Sequence, residues 1–404
     1  MEAEEVGVST ERLARVGAAC RRYVDSGRLP GTDIQISRRG RVVYRDTYGA
    51  ADVAAGRPLA DDTIFRIYSM SKPITSIALM QLYERGEILL ENRVDRFIAE
   101  FGDVQVWTGG TENAPQVRPP ARPITVHDVL THLSGLTYGF MFTHPVDAIY
   151  RHNDLGNFTR PDVSLAEAME LLAGIPLLFD PGSRWNYSMS TDVCGRLVEV
   201  VSGMPLDAYL DEHIFRPLGM VDTGFSLNEE QLPRLAACYT RTPEARLLEI
   251  DPAGSPVHAS PPAFLSGGGG LLSTTADYQR FCDMLLNRGE LDGHRIIGPR
   301  TLDYMTSNHL PGNATLNEMG QVTFSETTME GTGFGLGFSV LVDPPANQGI
   351  GSVGEFAWGG AASTTFWIDP AEELSVIFMT QLLPSTIYPI RRLLKPVVLQ
   401  ALID

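Results

Sequence analysis

The segment that most constrains the fold is a long, mostly apolar run that begins near Ile67 and ends near Gly86. A helix formed by this run would be apolar on nearly every side, and such a helix is usually buried. Ser69 and Lys72 lie three residues apart at its start. That spacing places two side chains on one helix face, about 5–6 Å apart at Cβ. The sequence therefore predicts a buried helix that carries a serine and a lysine in contact.

The use of lysine in this chain singles out position 72. Of the 32 basic residues, only Lys72 and Lys395 are lysines, so arginine is the usual surface cation. Arginine stays charged in proteins, whereas a desolvated lysine amine can release its proton and act as a base. Such a base activates a serine hydroxyl, which is a weak nucleophile alone. The alternative is an ordinary lysine on an amphipathic helix, and the apolar residues around Lys72 argue against it.

Composition excludes several classes of protein. A chain of 404 residues with 43% apolar content is long enough for two or three domains with real cores. The net charge of −17 and the absence of a basic cluster argue against a nucleic-acid or anionic-membrane partner. The first residues lack the features of a signal peptide and no run of 18 apolar residues occurs, so we expect a cytoplasmic protein. The sequence makes no prediction of oligomeric state.

Metal and cofactor motifs are missing from the sequence. The four cysteines form no C-x-x-C pair, and His127 and His132 do not have the H-E-x-x-H spacing of a zinc site. Four glycines, Gly267 to Gly270, are not followed by the lysine of a phosphate-binding loop. We interpret them as a tight backbone passage before a helix, and we expect neither a metal nor a cofactor.

Strand-like segments lie near both ends of the chain, and helical patterns fill the middle. Residues 10–25 predict a helix with Thr10 as its cap, and residues 33–44 predict a hairpin. Further strands are predicted at 336–342, 362–368 and 374–380, a surface loop at 107–123, helices at 164–173, 191–202, 206–215 and 276–287, and a closing helix at 385–402.

This order predicts an α+β fold. We expect an antiparallel sheet flanked by helices and built from both chain termini, residues 1–92 and 237–404. A mostly helical domain, residues 93–236, would be inserted into it. The active site would lie in the cleft between these two parts.

Tyr187 is a second candidate for proton transfer. It stands shortly before the helix predicted at 191–202, and the positive end of a helix dipole favours a phenolate. A phenolate beside Lys72 would be a competent general base. Taken alone, a tyrosine here is more often a buried core aromatic.

Two glycine-containing segments could form the walls of a substrate site. Gly359 and Gly360 interrupt a predicted strand after Trp358, and glycine in a strand often marks close approach to a ligand. Free backbone N–H groups of an edge strand there could complete an oxyanion hole. The alternative is a simple bulge. Tyr138 and Phe140 lie in an apolar segment broken by glycine, which suits a pocket wall.

Together these segments resemble the serine β-lactamase and penicillin-binding-protein superfamily, and most closely the family VIII carboxylesterases, the class C β-lactamase-like esterases. The likeness extends over roughly residues 8–400. Three ordered motifs carry it: Ser69-Met70-Ser71-Lys72 for S-x-x-K, Tyr187-Ser188-Met189 for a Y-x-N-like motif, and Trp358-Gly359-Gly360 for the W-G-G that replaces K-T-G.

The resemblance implies a mechanism and a set of roles. Ser69 would be the acylated nucleophile, and Lys72 and Tyr187 would share the proton transfers. The backbone N–H groups of Ser69 and Ala361 would form the oxyanion hole.

Departures from the lactamase pattern indicate the substrate class. Trp358 stands where K-T-G offers a cation, and Met189 stands where Y-x-N offers an amide, so both changes add apolar surface. We therefore expect an uncharged, hydrophobic ester. The resemblance also implies a short acyl chain, with weak hydrolysis of β-lactams such as cephalosporins as a side activity. The residues expected to bind this substrate are Trp358, Gly359, Gly360, Met189, Tyr138 and Phe140.

Three other functions remain open at this point. An acyltransferase on the same scaffold would pass the acyl group to an alcohol, and a β-lactamase or D,D-peptidase would use the same serine. A non-catalytic binding module is disfavoured because Ser69, Lys72 and Tyr187 are all present. No G-x-S-x-G occurs, which argues against an α/β-hydrolase.

Overall fold

The computed structural model describes residues 3–320 and 329–404, so Met1 and Glu2, with which the predicted sheet domain begins, lie outside it. The strands in the described residues are β1 (Gly31–Arg38), β2 (Arg41–Asp52), β3 (Arg57–Pro58), β4 (Phe65–Arg66), β5 (Val106–Thr111), β6 (Ala114–Arg118), β7 (Cys238–Arg241), β8 (Leu247–Asp251), β9 (Leu272–Ser273), β10 (Glu290–Leu291), β11 (His294–Arg295), β12 (Thr332–Phe334), β13 (Ser339–Leu341), β14 (Phe356–Gly359), β15 (Thr365–Asp369) and β16 (Leu374–Met379).

The α-helices in the same residues are α1 (Thr10–Asp25), α2 (Ser71–Glu84), α3 (Val126–Leu130), α4 (Pro145–His152), α5 (Leu165–Ala173), α6 (Ser190–Ser202), α7 (Leu206–Leu210), α8 (Arg216–Leu218), α9 (Thr275–Leu286), α10 (Pro299–Met305), α11 (Leu316–Met319), α12 (Pro344–Asn347) and α13 (Ile390–Leu399). A π-helical turn at Asp211–Phe215 joins α7 to α8.

The main sheet is antiparallel and is assembled from both ends of the chain. Its strand order is β12-β13-β14-β15-β16-β1-β2-β3. The two chain ends meet where β1 pairs with β16, with Asp33 opposite Met379 and Ile36 opposite Val376. The predicted α+β architecture, an antiparallel sheet flanked by helices, is confirmed.

Both faces of this sheet are covered. In β16 successive side chains point to opposite faces, so Val376 and Phe378 join one core cluster while Ile377 and Met379 join the other. Helices α1 and α13 pack together on the first face, and α9 contacts β1 and β16 on the second. Strands buried on both faces need this two-sided helical cover.

Helix α2 lies in the larger core cluster, as its composition predicts. Its residues from Ser71 to Leu82 are all buried. Strand β4, which leads into it, pairs with β9, with Phe65 opposite Ser273. This pairing brings the glycine passage at 267–270, which directly precedes β9, beside the start of α2.

The middle of the chain is mostly helical but is not separated from the sheet by a boundary in the core. Residues 93–236 contain α3 to α8. One core cluster joins Ile77 of α2, Leu172 of α5 and Ile368 of β15. The proposed domain limits, 1–92 and 237–404 against 93–236, therefore stay a prediction.

Several local expectations need correction. The loop predicted at 107–123 contains the hairpin β5–β6, in which Trp107 pairs with Val117. The cap of α1 is Ser9, whose Oγ accepts a hydrogen bond from the Arg12 N–H 3.3 Å away. Helix α13 begins later than predicted, because the residue before Pro389 is held extended and α13 starts only after it.

Arg38 of β1 ties the two chain termini to the sheet. Its side chain is 2% exposed, and its Nη1 donates to the carbonyls of Val6 and Gly7 and to the Asp404 carboxylate at 2.6 Å. Its Nη2 donates to Glu372 at 2.8 Å. A buried guanidinium surrounded by acceptors in this way holds segments that are distant in sequence.

We expect Arg38→Met to lower the free energy of unfolding by about 3 kcal/mol, because it leaves buried carbonyl groups without a donor. Urea denaturation would measure this change. Arg41→Met is the matched control: Arg41 is exposed and pairs with exposed Glu5, so its loss should cost less than about 1 kcal/mol. Equal losses in the two variants would contradict the importance assigned to Arg38.

Candidate active site

Ser69 lies in a 3-10 turn that ends where α2 begins. The turn covers Tyr68–Met70, and Tyr68 has a positive φ of 44°, which is uncommon for a residue with a side chain. The Ile67 N–H bonds the Leu271 carbonyl at 3.2 Å, which fixes the chain just before the turn. Ser69 is half-buried and lines a cavity.

Lys72 lies one turn further on and is 1% exposed. Its Nζ donates to three acceptors: Ser69 Oγ at 3.3 Å, Tyr138 Oη at 3.0 Å and the Gly268 carbonyl at 2.7 Å. An ammonium group has three protons, so each of them has a partner. This coordination allows a charge to be buried that would otherwise be very costly.

Tyr187 is the second side chain in contact with Ser69. The Tyr187 Oη and Ser69 Oγ atoms are 2.6 Å apart, and Lys72 Nζ lies 4.6 Å from the centroid of the Tyr187 ring. Tyr187 precedes α6 by three residues, and Asn186 anchors its loop through a 2.9 Å bond to the Leu136 carbonyl. The three side chains singled out in the sequence therefore come together at one point.

His132 is a neighbour of this cluster that the sequence did not assign to it. Its ring centroid lies 5.1 Å from that of Tyr187, and its Nδ1 is 3.1 Å from Ser188 Oγ. Burial, followed by the positive charge of Lys72, holds the pKa of His132 well below its usual range. The imidazole is therefore neutral near pH 7 and packs against Tyr187 without adding a second cation.

Asp192 is a second neighbour that the sequence did not assign to the cluster. Its place in the first turn of α6, shortly after Tyr187, was a signal that could have identified it. It is fully buried, and its Oδ1 accepts from Ser266 Oγ at 2.6 Å and from the Gly268 N–H at 3.0 Å. Burial raises the pKa of Asp192, and the charge of Lys72 opposes that rise. Gly268 thus lies between a carboxylate and an ammonium, bonded to each of them.

The cavity beside Ser69 has a volume of about 350 Å³. Trp358, Gly359, Gly360 and Ala361 line it, together with Phe140, as the sequence suggested. Further aromatic and apolar lining residues in the described chain include Phe158, Trp185, Trp367 and Ile350.

Two expected substrate contacts differ from the sequence-based prediction. Tyr138 and Met189 are both fully buried, and neither is among the described residues that line the cavity. The hydroxyl of Tyr138 is turned toward Lys72, and its ring stacks on Phe140 at 4.6 Å. Met189 immediately precedes α6, and its side chain is part of the core.

Gly360 brings the end of β14 against the turn that holds Ser69. A Cβ atom on Gly360 would lie 2.3 Å from the Ile67 carbonyl oxygen, so another residue would push the two segments apart. The Gly360 N–H bonds the Thr364 carbonyl at 2.8 Å, which closes a tight turn around Ala361. Ala361, in this turn, lines the same cavity as Ser69.

Comparison with known proteins places the chain in a family. A family model described as Beta-lactamase matches residues 16–395. The chain belongs to the β-lactamase family. Within that family, Protein Rv1367c of Mycobacterium tuberculosis is 36% identical over 91% of this chain and 90% of the relative. Esterase EstB of Burkholderia gladioli is 32% identical over 91% of this chain and 90% of the relative.

A solved structure supports the same placement. "EstCE1, a hydrolase with promiscuous acyltransferase activity" superposes with a TM-score of 0.81 at 27% identity, covering 96% of this chain and 98% of EstCE1. The predicted membership in the serine β-lactamase and penicillin-binding-protein superfamily, close to the family VIII esterases, is confirmed. The predicted class, a serine hydrolase among the carboxylic ester hydrolases, is confirmed as well. In the described residues, every helix is too short or too polar to cross a membrane.

We expect Asp192→Asn to lower kcat/KM more than about tenfold, because the buried Lys72 ammonium loses its nearby opposite charge. Asparagine keeps an oxygen that can still accept from Ser266 and Gly268. Steady-state kinetics with an aryl ester, together with the melting temperature, would measure the effect.

The matched control for this variant is Asp33→Asn. Asp33 is also fully buried, accepts from Thr275 at 2.8 Å and has a pKa raised by burial, but it lies on β1 away from the cavity. Its loss should change stability and leave kcat/KM close to that of the wild type. Wild-type kcat/KM in Asp192→Asn would show that the charge of Asp192 is not needed at the site.

Proposed function

We propose that this protein cleaves short-chain, uncharged carboxylic esters through an acyl-enzyme formed at Ser69. One observation carries the proposal: Ser69 Oγ lies within hydrogen-bond distance of both Tyr187 Oη, at 2.6 Å, and Lys72 Nζ, at 3.3 Å. A nucleophile in contact with two groups able to move protons is the arrangement that acyl transfer needs.

The proposed first half-reaction begins with the attack of Ser69 Oγ on the ester carbonyl carbon. In this step Tyr187 would act in its phenolate form and take the serine proton, and the Lys72 ammonium, 4.6 Å from the ring centroid, would stabilise that form. The bond to the alcohol then breaks, and the leaving oxygen takes the proton from Tyr187. General acid–base help of this type contributes about 10²- to 10⁴-fold to the rate.

The second half-reaction repeats these steps with water. Water attacks the acyl carbon and gives its proton to Tyr187, the bond to Ser69 Oγ breaks, and the serine recovers the proton. In both halves the backbone N–H groups of Ser69 and Ala361 would stabilise the oxyanion. Loss of one such donor in hydrolases costs about 3–4 kcal/mol.

The cavity supports an ester that is small and mainly apolar. Its described wall includes Trp358, Trp185 and Phe158 close to the serine. No lysine stands at the position of Trp358, where lactamases hold a carboxylate, so a charged β-lactam lacks its usual cation there. Arg391 also lines the cavity, which is compatible with weak β-lactam hydrolysis as a side activity.

Acyl transfer to an alcohol is a second candidate function. The relative EstCE1 is described as a hydrolase with promiscuous acyltransferase activity. An apolar cavity favours an organic acceptor over water at the acyl-enzyme stage, because burial of apolar surface stabilises the bound alcohol. The same Ser69 acyl-enzyme would serve both reactions.

Labelling with a fluorophosphonate should identify Ser69 as the nucleophile. We expect intact-protein and peptide mass spectra to show a fluorophosphonate adduct on Ser69 in the wild type and none in Ser69→Ala. The kcat of Ser69→Ala should fall by about 10³-fold or more, as in other hydrolases that lose their nucleophile.

Ser71→Ala is the control for this labelling. Ser71 lies two residues away, but its Oγ is 2.6 Å from the Tyr68 carbonyl and accepts from the Leu271 N–H, so it has a structural partner on each side. The adduct should still form on Ser69 in this variant. An adduct that persists in Ser69→Ala would refute the proposed nucleophile.

A series of p-nitrophenyl esters would test the substrate class. We expect kcat/KM to be highest from acetate to butyrate and at least about tenfold lower for decanoate, because the cavity has limited room beside Ser69. Nitrocefin should be turned over more slowly than the short esters. Faster turnover of nitrocefin would identify a β-lactamase, and transfer exceeding hydrolysis with excess alcohol would identify an acyltransferase.

A further inference from the structure

Arg391, the second residue of α13, reaches across to the end of β14. Its Nη2 donates to the Gly360 carbonyl at 2.5 Å and to the Thr364 carbonyl at 2.9 Å. The side chain is part-buried and lines the cavity. A charged donor is thus bonded to two backbone oxygens in the wall of the candidate active site.

The Gly360 carbonyl and the Ala361 N–H belong to the same peptide group. A cation that donates to the oxygen of an amide draws electron density away from its nitrogen, so the N–H on the other side becomes a stronger donor. We propose that Arg391 is a positioning residue that polarises the Gly360–Ala361 peptide and so strengthens the oxyanion hole. The inference rests on the proposed function, in which the Ala361 N–H binds the oxyanion.

Arg391 also holds the orientation of this peptide. The Thr364 carbonyl accepts from both Arg391 and the Gly360 N–H, and the Ser363 N–H bonds the Gly360 carbonyl at 3.1 Å. Ser363 itself has a positive φ of 68°. Arg391 therefore fastens both ends of a tight turn whose middle presents the Ala361 N–H. A fixed donor needs no reorganisation when charge develops on the substrate oxygen.

The glycines of the Trp358-Gly359-Gly360 segment fit this arrangement. A Cβ atom on Gly359 would lie 2.6 Å from the guanidinium carbon of Arg391, so only glycine lets the guanidinium rest against the strand. A Cβ atom on Gly360 would meet the Ile67 carbonyl on the Ser69 turn. Gly359 leaves room for the Arg391 guanidinium, and Gly360 leaves room for the turn that holds Ser69. These two close contacts explain why both positions are glycine.

Kinetics of Arg391→Met test the proposal. We expect kcat/KM for p-nitrophenyl acetate to fall about tenfold, less than the 10²- to 10³-fold typical of losing a donor outright. The loss should lie in kcat, with KM changed less than about twofold, because the polarised N–H acts on the transition state. A rise in KM at unchanged kcat would overturn the proposal and make Arg391 a substrate-binding residue.

Arg57→Met is the matched control. Arg57 is part-buried and donates to the Leu235 carbonyl at 2.7 Å, but it is not among the described residues that line the cavity. The Arg57→Met variant also loses a hydrogen bond from a guanidinium to a backbone carbonyl, but it should keep the kcat of the wild type. An equal fall of kcat in Arg57→Met and Arg391→Met would show a general effect of stability and would refute the proposal.

The infrared carbonyl band of the acyl-enzyme reports the oxyanion hole directly. Weaker hydrogen bonds from the oxyanion hole leave more double-bond character in the ester C=O group. The carbonyl band should therefore move to higher wavenumber in Arg391→Met and stay in place in Arg57→Met. An unmoved band in Arg391→Met refutes the inference, whereas failure of the wild type to form any acyl-enzyme refutes the proposed function instead.

Two further measurements keep the test decisive if Arg391→Met folds poorly. Added guanidinium ion should restore part of the kcat of Arg391→Ala. Gly359→Ala, which displaces the guanidinium, should lower kcat in the wild type and have little further effect in the Arg391→Met background. Additive effects of Gly359→Ala and Arg391→Met, or no response to guanidinium, would contradict the proposed role.

Discussion

The buried ammonium group of Lys72 organises the candidate site. It is 1% exposed, and its three hydrogen-bond acceptors come from three separate parts of the chain: Ser69, Tyr138 and Gly268. Because an unpaired charge in this position would be costly, the convergence of these segments stabilises the buried ammonium. Asp192 adds a carboxylate on the far side of Gly268. The same contacts that make the charge tolerable therefore place the serine beside it.

The sheet supplies the second requirement, a wall of backbone close to the serine. Pairing of β4 with β9 and of β1 with β16 holds the start of α2 next to the glycine passage and the late strands. Close approach then depends on glycine, since a side chain at Gly360 would collide with the Ile67 carbonyl. Arg391 is bonded to a carbonyl of the same turn. Ser69 and the turn that contains Ala361 are thus positioned by elements from opposite ends of the chain.

These features agree with membership of the β-lactamase family and with a preference for uncharged substrates. The cavity wall near the serine is rich in aromatic side chains. In the proposed function, tryptophan stands where a lysine would hold a carboxylate, so substrate binding would rely on apolar contact and the chemistry on the polar groups around Ser69. An acyl-enzyme in such a cavity can react with water or with a bound alcohol, and the balance depends on which of them occupies the space beside Ser69.

The sequence by itself was sufficient for the local features. Helical spacing joined Ser69 to Lys72, the scarcity of lysine singled out Lys72, the position before α6 singled out Tyr187, and β-prone segments at both ends predicted the sheet. The tertiary structure decided whatever depends on contacts between distant segments. In the folded chain Tyr138 and Met189 are buried in the interior. His132 and Asp192 lie beside the cluster of Ser69, Lys72 and Tyr187, and Arg391 packs against Gly359. Periodicity and propensity act over a few residues, whereas these contacts join residues about 30 to 200 positions apart, and only the packed fold specifies them.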